Sequence, residues 1–259
     1  MNRSLPRLVA LCFLVSILLA GCQHPHDLAW ERSRQSGVLR VGTDASYPPF
    51  ETLDASGAVI GFDADLAREI GQRIGLEVSF TNLSYDGLYD ALIVGRVDVL
   101  ISALVVAPEA EQKAVFSHAY FDIGEQLVAP ARAPLTGMEA LEGLRVAVEY
   151  GAEGDVLARQ WQRRLRALEI VRCPDSSTAI QAVLAGEADA ALIDGIAARL
   201  AVGQHPELAH GATVENVPVA VAVHPDSTTL LAEVNTALDE MQADGTIDRL
   251  TAQWFGPQR

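Results

Sequence analysis

The sequence predicts an α/β protein made of two doubly wound lobes, and three observations carry that expectation. From Val38 onward, short apolar runs alternate with amphipathic helical patterns, the signature of helices layered on largely parallel strands. The same order of elements recurs in the second half, without a residue-level repeat. The chain has 259 residues, 49% hydrophobic and 6% aromatic, enough apolar material for one or two packed domains and unlike a disordered or fibrous protein.

The elements follow in order. Val38 to Gly42 reads as the first strand. Asp63 to Ile74 sets Leu66, Ala67, Ile70 and Ile74 at helical spacing with charges between them, and Gly75 stops the helix. A strand over Glu77 to Phe80, a helix over Tyr85 to Gly95 and a buried strand over Val97 to Leu104 complete a half-domain. Such sheets bind ligands beyond the carboxyl ends of their strands. The second half repeats the order: strand Leu144 to Val148, helix Gly154 to Leu168, strand Glu169 to Arg172, helix Ser177 to Ala185, strand Ala188 to Ile193. Ala129 to Gly137 is a surface loop by its turn residues, with the crossover between lobes expected just before it. Leu230 to Trp254 reads as two amphipathic helices broken at Asp244-Gly245.

The N-terminus is not part of this fold. Arg3 and Arg7 precede the apolar run Leu8 to Ala20, which is short for a bilayer span and has the form of a secretory leader. Leu19-Ala20-Gly21-Cys22 resembles the lipobox of bacterial lipoproteins, so residues 1–21 are expected to be removed and Cys22 to be lipidated. An ordinary leader or an N-terminal membrane anchor is the alternative. Residues 22–37 then form a polar tether. Cys12 leaves with the leader, and Cys173 is left without a partner, so no internal disulfide is expected. A net charge of −15 argues against nucleic acid and anionic membrane surfaces as partners, since both favour clustered cationic side chains.

Several motifs appear together and in order: Arg40-Val41-Gly42-Thr43-Asp44 with Tyr47-Pro48-Pro49-Phe50, then Gly61-Phe62-Asp63-Ala64-Asp65-Leu66, and Gly95-Arg96-Val97-Asp98. Phe116-Ser117 with Tyr120, Gly186-Glu187-Ala188-Asp189-Ala190, and Asp244-Gly245-Thr246 with Trp254-Phe255-Gly256 follow. Each is weak alone, but in this order they resemble the bacterial extracellular solute-binding proteins of the polar amino-acid type, over nearly all of the chain after Ser36. The resemblance implies a periplasmic-binding-protein-like fold of type II. Its two lobes, 38–121 with 219–259 and 122–218, would be joined by a two-strand hinge and close on a small ligand in the cleft. It also implies an extracytoplasmic location, a membrane permease of an ABC transporter as partner, and no cofactor.

The resemblance also directs attention to particular residues. In the family, a Thr-Pro-Glu-Arg segment supplies an arginine that grips the ligand's α-carboxylate. Here it reads Ala107-Pro108-Glu109-Ala110, and Val105 stands at the nearby hydroxyl position, close to Ala103. The second-lobe segment that usually reads Gly-Thr-Thr is Gly151-Ala152-Glu153. Asp194 falls where the family places the carboxylate for the ligand's α-amino group, although it also suits a helix N-cap before Gly195 to Leu200. Asp44 either faces the cleft or shapes a turn. Tyr47, Phe50 and Tyr85 fall at aromatic cleft walls or in simple packing, and Tyr150 and Glu153 depend on aligning a divergent loop. Ala103, Val105 and Ala110 complete the expected contact set. A cleft that is acidic and aromatic, with no arginine assigned, suits a cation better than a zwitterionic amino acid.

Two other functions compete. Some proteins resembling this family are dehydratases acting on cyclohexadienyl acids, which need a proton donor beside a firmly held carboxylated substrate. Glu149 or Glu153 fills that role only nominally. A sensor or a clamp that has lost its ligand is the third reading. No serine–histidine pairing, metal-spaced histidine cluster or phosphate-cradling loop is evident, and His118, His205, His210 and His224 are scattered singly.

Overall fold

The computed structural model describes residues 27–256, so the leader, Cys22 and the beginning of the tether lie outside the described residues. The first sheet has the order β5-β1-β6-β13-β7. It contains β1 (Val38–Thr43), β5 (Glu77–Asn82), β6 (Val99–Leu100), β7 (Val115–Asp122) and β13 (Pro218–Val223). β5, β1 and β6 run parallel, and β13 lies antiparallel between β6 and β7. The second sheet has the order β10-β9-β11-β8-β12. It contains β8 (Glu125–Pro130), β9 (Arg145–Glu149), β10 (Glu169–Cys173), β11 (Ala190–Asp194) and β12 (Leu208–Thr213). The pattern is the same: three parallel strands, then an antiparallel one, β8, between β11 and β12. The expected α/β fold of two doubly wound lobes is borne out.

Helices cover both sheets. In the first lobe, α2 (Phe62–Ile74) turns Leu66, Ala67, Ile70 and Ile74 into the core, where they meet α8 (Thr228–Ala243) and α9 (Thr246–Phe255). Gly75 ends α2 in the left-handed conformation, at φ 73°. The short α3 (Leu88–Ile93) and α4 (Pro108–Glu111) flank β6 in sequence. In the second lobe, α5 (Glu153–Gln162), α6 (Ser176–Leu184) and α7 (Gly195–Gln204) follow β9, β10 and β11. A small sheet, β2 (Ser46–Tyr47), β3 (Glu51–Leu53) and β4 (Val59–Ile60), rises from the loop after β1.

The chain passes between the sheets twice, at Ile123-Gly124 and again between Thr213 and Pro218. The two passages are bonded to each other, because Ile123 N–H donates to Val217 O at 3.1 Å. One Asp122 oxygen accepts from both Gly124 N–H (2.8 Å) and Val217 N–H (3.1 Å). Only glycine fits at 124, since a Cβ there would lie 1.8 Å from Glu215 O. The first passage therefore follows Asp122, several residues before the loop that the turn chemistry singled out.

The expected tether is shorter than the composition suggests. Leu28–Ser36 forms a helix, α1, docked on the first lobe. One Asp27 oxygen accepts from Trp30 N–H (3.0 Å), and the other accepts from Leu230 N–H (2.8 Å) at the start of α8. Arg32 pairs with Asp98, which is fully buried and also holds Arg40 at 2.8 Å. These long-range polar contacts, with Ala29 and Ser33 buried, fix a segment that is polar by composition.

Candidate functional site

A cavity of about 380 Å³ opens at the carboxyl end of the first sheet, where doubly wound folds place their ligands. Its size suits a small molecule. Asp44, Ser46, Tyr47 and Tyr85 line it together with Ala103, Val105 and Ile123 of the first passage. Larger in volume, a hollow of about 580 Å³ lies at the opposite end of the second sheet, between Pro130, Gly186 and Glu207. It faces away from the ends of the parallel strands.

The floor of the cavity is a carboxyl network. Asp44 N–H donates to Ser102 Oγ (2.9 Å), and Ser102 Oγ donates to Glu51 Oε1 (2.8 Å). Asp63 Oδ2 accepts from Ala103 N–H (2.6 Å) and from Tyr120 OH (2.9 Å). Glu51 and Asp63 are each only 1% exposed. The remaining oxygens, Glu51 Oε2 and Asp63 Oδ1, have no partner unless the two carboxyls share a proton. Burial above all, and then the charge of Asp63, pushes Glu51 up to about 10. Burial also raises Asp63, to about 6, with the Ala103 N–H, Glu51 and Tyr120 holding it down. Glu51 is therefore a neutral acid at neutral pH, donating to an ionised Asp63. This network holds Ala103, a non-glycine residue at φ 43°, in the left-handed conformation at the cavity wall.

The aromatic residues divide. Tyr47 and Tyr85 are exposed on the cavity, whereas Phe50 is fully buried and does not reach it. Phe50 packs edge-on against Phe62, Phe121 and Phe255 with centroids 5.0 to 5.8 Å away. Tyr47 stacks on it at 5.7 Å, so Phe50 is the support behind a cavity residue. Asp44 is held by its side chain as well as its backbone, since Oδ2 accepts from Tyr85 N–H at 2.8 Å.

In the second lobe Asp194 does cap a helix. Its Oδ1 accepts from Ile196 N–H (3.0 Å) and Ala197 N–H (2.9 Å), at the start of α7. Its other oxygen makes no hydrogen bond among the described residues. Asp194 does not itself line the cavity, but it is near enough to act on it: after burial, its charge is the largest influence raising the Tyr47 hydroxyl pKa. Ala110, Tyr150 and Glu153 do not line the cavity. Ala110 lies in α4, Tyr150 is 71% exposed on the turn after β9, and Glu153 opens α5. Ser46, Glu51, Ser102 and Ile123 are cavity residues that the sequence reading missed. A glutamate beside Phe50 in a three-residue strand has no period to mark it as buried.

No arginine lines the cavity. The half-buried Arg199 of α7 is engaged elsewhere, its guanidinium stacked on Phe121 at 4.5 Å. Among the described residues no group of three His, Cys, Asp or Glu side chains is arranged to hold a metal ion.

Residues 39–257 match the bacterial extracellular solute-binding proteins, family 3. The chain belongs to that family. It is 28% identical over 229 residues to the lysine/arginine/ornithine-binding periplasmic protein of Escherichia coli K12, covering 84% of this chain and 87% of that protein. It is 30% identical over 227 residues to the L-cystine-binding protein of the same organism, covering 86% and 84%. Among solved structures, an ancestral cyclohexadienyl dehydratase superposes with a TM-score of 0.75 at 27% identity, covering 87% of this chain and 95% of that one.

Proposed function

We propose that the protein is the capture component of an ABC importer, taking an amino acid or a related small amine or cation into the cleft between its lobes. The observation that carries this reading is the 380 Å³ cavity at the strand ends, walled by Asp44, Tyr47 and Tyr85 and lacking arginine. Relatives that bind basic amino acids and cystine are in keeping with it. Contacts from both lobes exist only when the cleft is closed, so the ligand shifts the open–closed equilibrium and the permease reads the closed form. A dehydratase would have to grip a carboxylated substrate beside a proton donor, and the cavity offers no cationic side chain for that grip. The test is calorimetry on a panel of amino acids and amines, with small-angle scattering and melting curves. The expected result is a ligand that binds without turnover, compacts the particle and raises the melting temperature by mass action. Turnover of prephenate or arogenate would establish the enzyme instead.

We propose also that the mature chain begins at a lipidated Cys22. With α1 docked on the first lobe, only residues 23–26 would then separate the lipid from the folded protein. Cys22→Ser should abolish fatty-acid labelling, and a mature N-terminus elsewhere would sink the assignment.

A further inference from the structure

The second lobe carries a buried carboxyl group with no counter-charge beside it. Glu125 opens β8, and the antiparallel register sets it directly opposite Asp194 at the end of β11. Both carboxyls therefore stand at the edge of the second sheet where β9 and β11 end, the edge at which an α/β sheet receives its ligand. Glu125 is only 7% exposed, and its Oε2 is buried without a hydrogen-bond partner. Glu125 packs closely on Gly154, where a Cβ would lie 2.9 Å from Oε2 and 2.5 Å from Leu192 O, so glycine at 154 is what lets the carboxyl sit there.

The charges that act on Glu125 are acidic. Burial is the main cause raising Glu125, to about 7, followed by Asp194, Glu153 at the start of α5, Glu215 beyond β12 and Glu149 at the end of β9. Glu149 accepts two hydrogen bonds from Ser176. None of the five carboxyls forms an ion pair among the described residues, and no three are arranged to hold a metal ion. A buried carboxylate with neither donor nor counter-charge is costly, so Glu125 holds its proton more tightly than a free acid, and a ligand that brings N–H donors with positive charge is what would let it ionise. Across the cleft the first lobe offers its own carboxylate, Asp44, beside Tyr47. Closing Asp44 toward Asp194 and Glu125 brings like charges together unless each side receives a cation.

We propose that the cleft binds a small organic dication, one cationic head on Asp44 and Tyr47 and the other on the Asp194–Glu125 pair, with Glu125 the residue that selects two charges over one. This rests on the solute-binding reading above. Docking of a cationic head ionises Glu125, so binding near neutral pH expels a proton, and affinity falls as the pH drops below about 7.

Calorimetry of the protein with 1,4-diaminobutane, 1,5-diaminopentane, butylamine and L-lysine, on the unmodified chain and on Glu125→Gln, tests it. The diamine should bind at least about tenfold more tightly than butylamine at pH 8, and Glu125→Gln should remove about tenfold from diamine affinity while changing butylamine by less than about twofold. Titrations near pH 7 in buffers of different ionisation heat read proton release on the unmodified chain, which keeps the test decisive if the variant does not fold. Equal affinity for butylamine and diamine, or diamine binding with no proton release, overturns the proposal. Tight binding of L-lysine or another α-amino acid with none of the diamines overturns it too, yet leaves the solute-binding reading standing. Silence toward the whole panel together with no ligand-induced compaction overturns both.

Discussion

Asp194→Asn is expected to lower ligand affinity by about 2 kcal/mol, roughly thirtyfold, with little loss of stability. The two roles of this side chain, helix cap and charge, can be separated by substitution. Oδ1 caps α7 through Ile196 and Ala197, a task that asparagine performs as well as aspartate. The charge, which is felt at Tyr47, is what a cationic ligand would use. Asparagine keeps the cap and removes the charge, whereas Asp194→Ala removes both and should cost about 1 kcal/mol of stability in addition. Calorimetry paired with denaturant unfolding separates the effects. An asparagine variant that bound its ligand like the unmodified chain would reduce Asp194 to a helix cap.

Much of the fold is legible in the sequence because it rests on local periodicity. The core face of α2 and the break between α8 and α9 at Asp244-Gly245 are set by residues within a few positions of one another. The strand expected over Val97 to Leu104 is shorter, since only Val99 and Leu100 join the ladder. Beyond them the chain leaves the sheet, and Ala103 is pulled into the left-handed region by its bond to Asp63. The helix α1 was hidden for a related reason. Its anchors are Asp98, 66 residues from Arg32, and Leu230, 203 residues from Asp27, and no local pattern encodes them.

The site divides in the same way. Asp44, Tyr47 and Tyr85 follow strand ends or turns in motifs that resemble the family's, and the fold delivers them to the cavity. Phe50 sits in the same motif but is buried: it lies in the turn between β2 and β3, and its ring packs against Phe121 and Phe255. The buried acids are illegible in sequence. A glutamate reads as solvent-exposed unless its partners are known, and those of Glu51 come from Ser102, 51 positions away, and from Asp63.

That buried pair yields the largest expected effect on stability. Glu51→Gln should leave stability unchanged near pH 5 and raise it above that of the unmodified protein by on the order of 3 kcal/mol at pH 8. An unfolded glutamate ionises near 4.5, whereas in the fold Glu51 holds its proton to about 10. Between those values the native state keeps a proton that the unfolded chain has released, so stability is full below the unfolded pKa and declines as pH rises through the window. Asp63, raised from 3.8 to about 6, contributes with the same sign over a narrower and more acidic range. Glutamine does not titrate. Its amide N–H takes the place of the shared proton toward Asp63 Oδ1, and its carbonyl accepts from Ser102 as Glu51 Oε1 does. Asp63→Ala, by contrast, strands Ala103 N–H and Tyr120 OH and should destabilise at every pH, by about 3 kcal/mol. Urea unfolding of the three proteins from pH 5 to pH 9 reads the differences directly. A Glu51→Gln variant that lost stability relative to the unmodified chain as pH rose would mean that Glu51 is ionised in the native state, and the shared proton beneath the cavity would have to be abandoned.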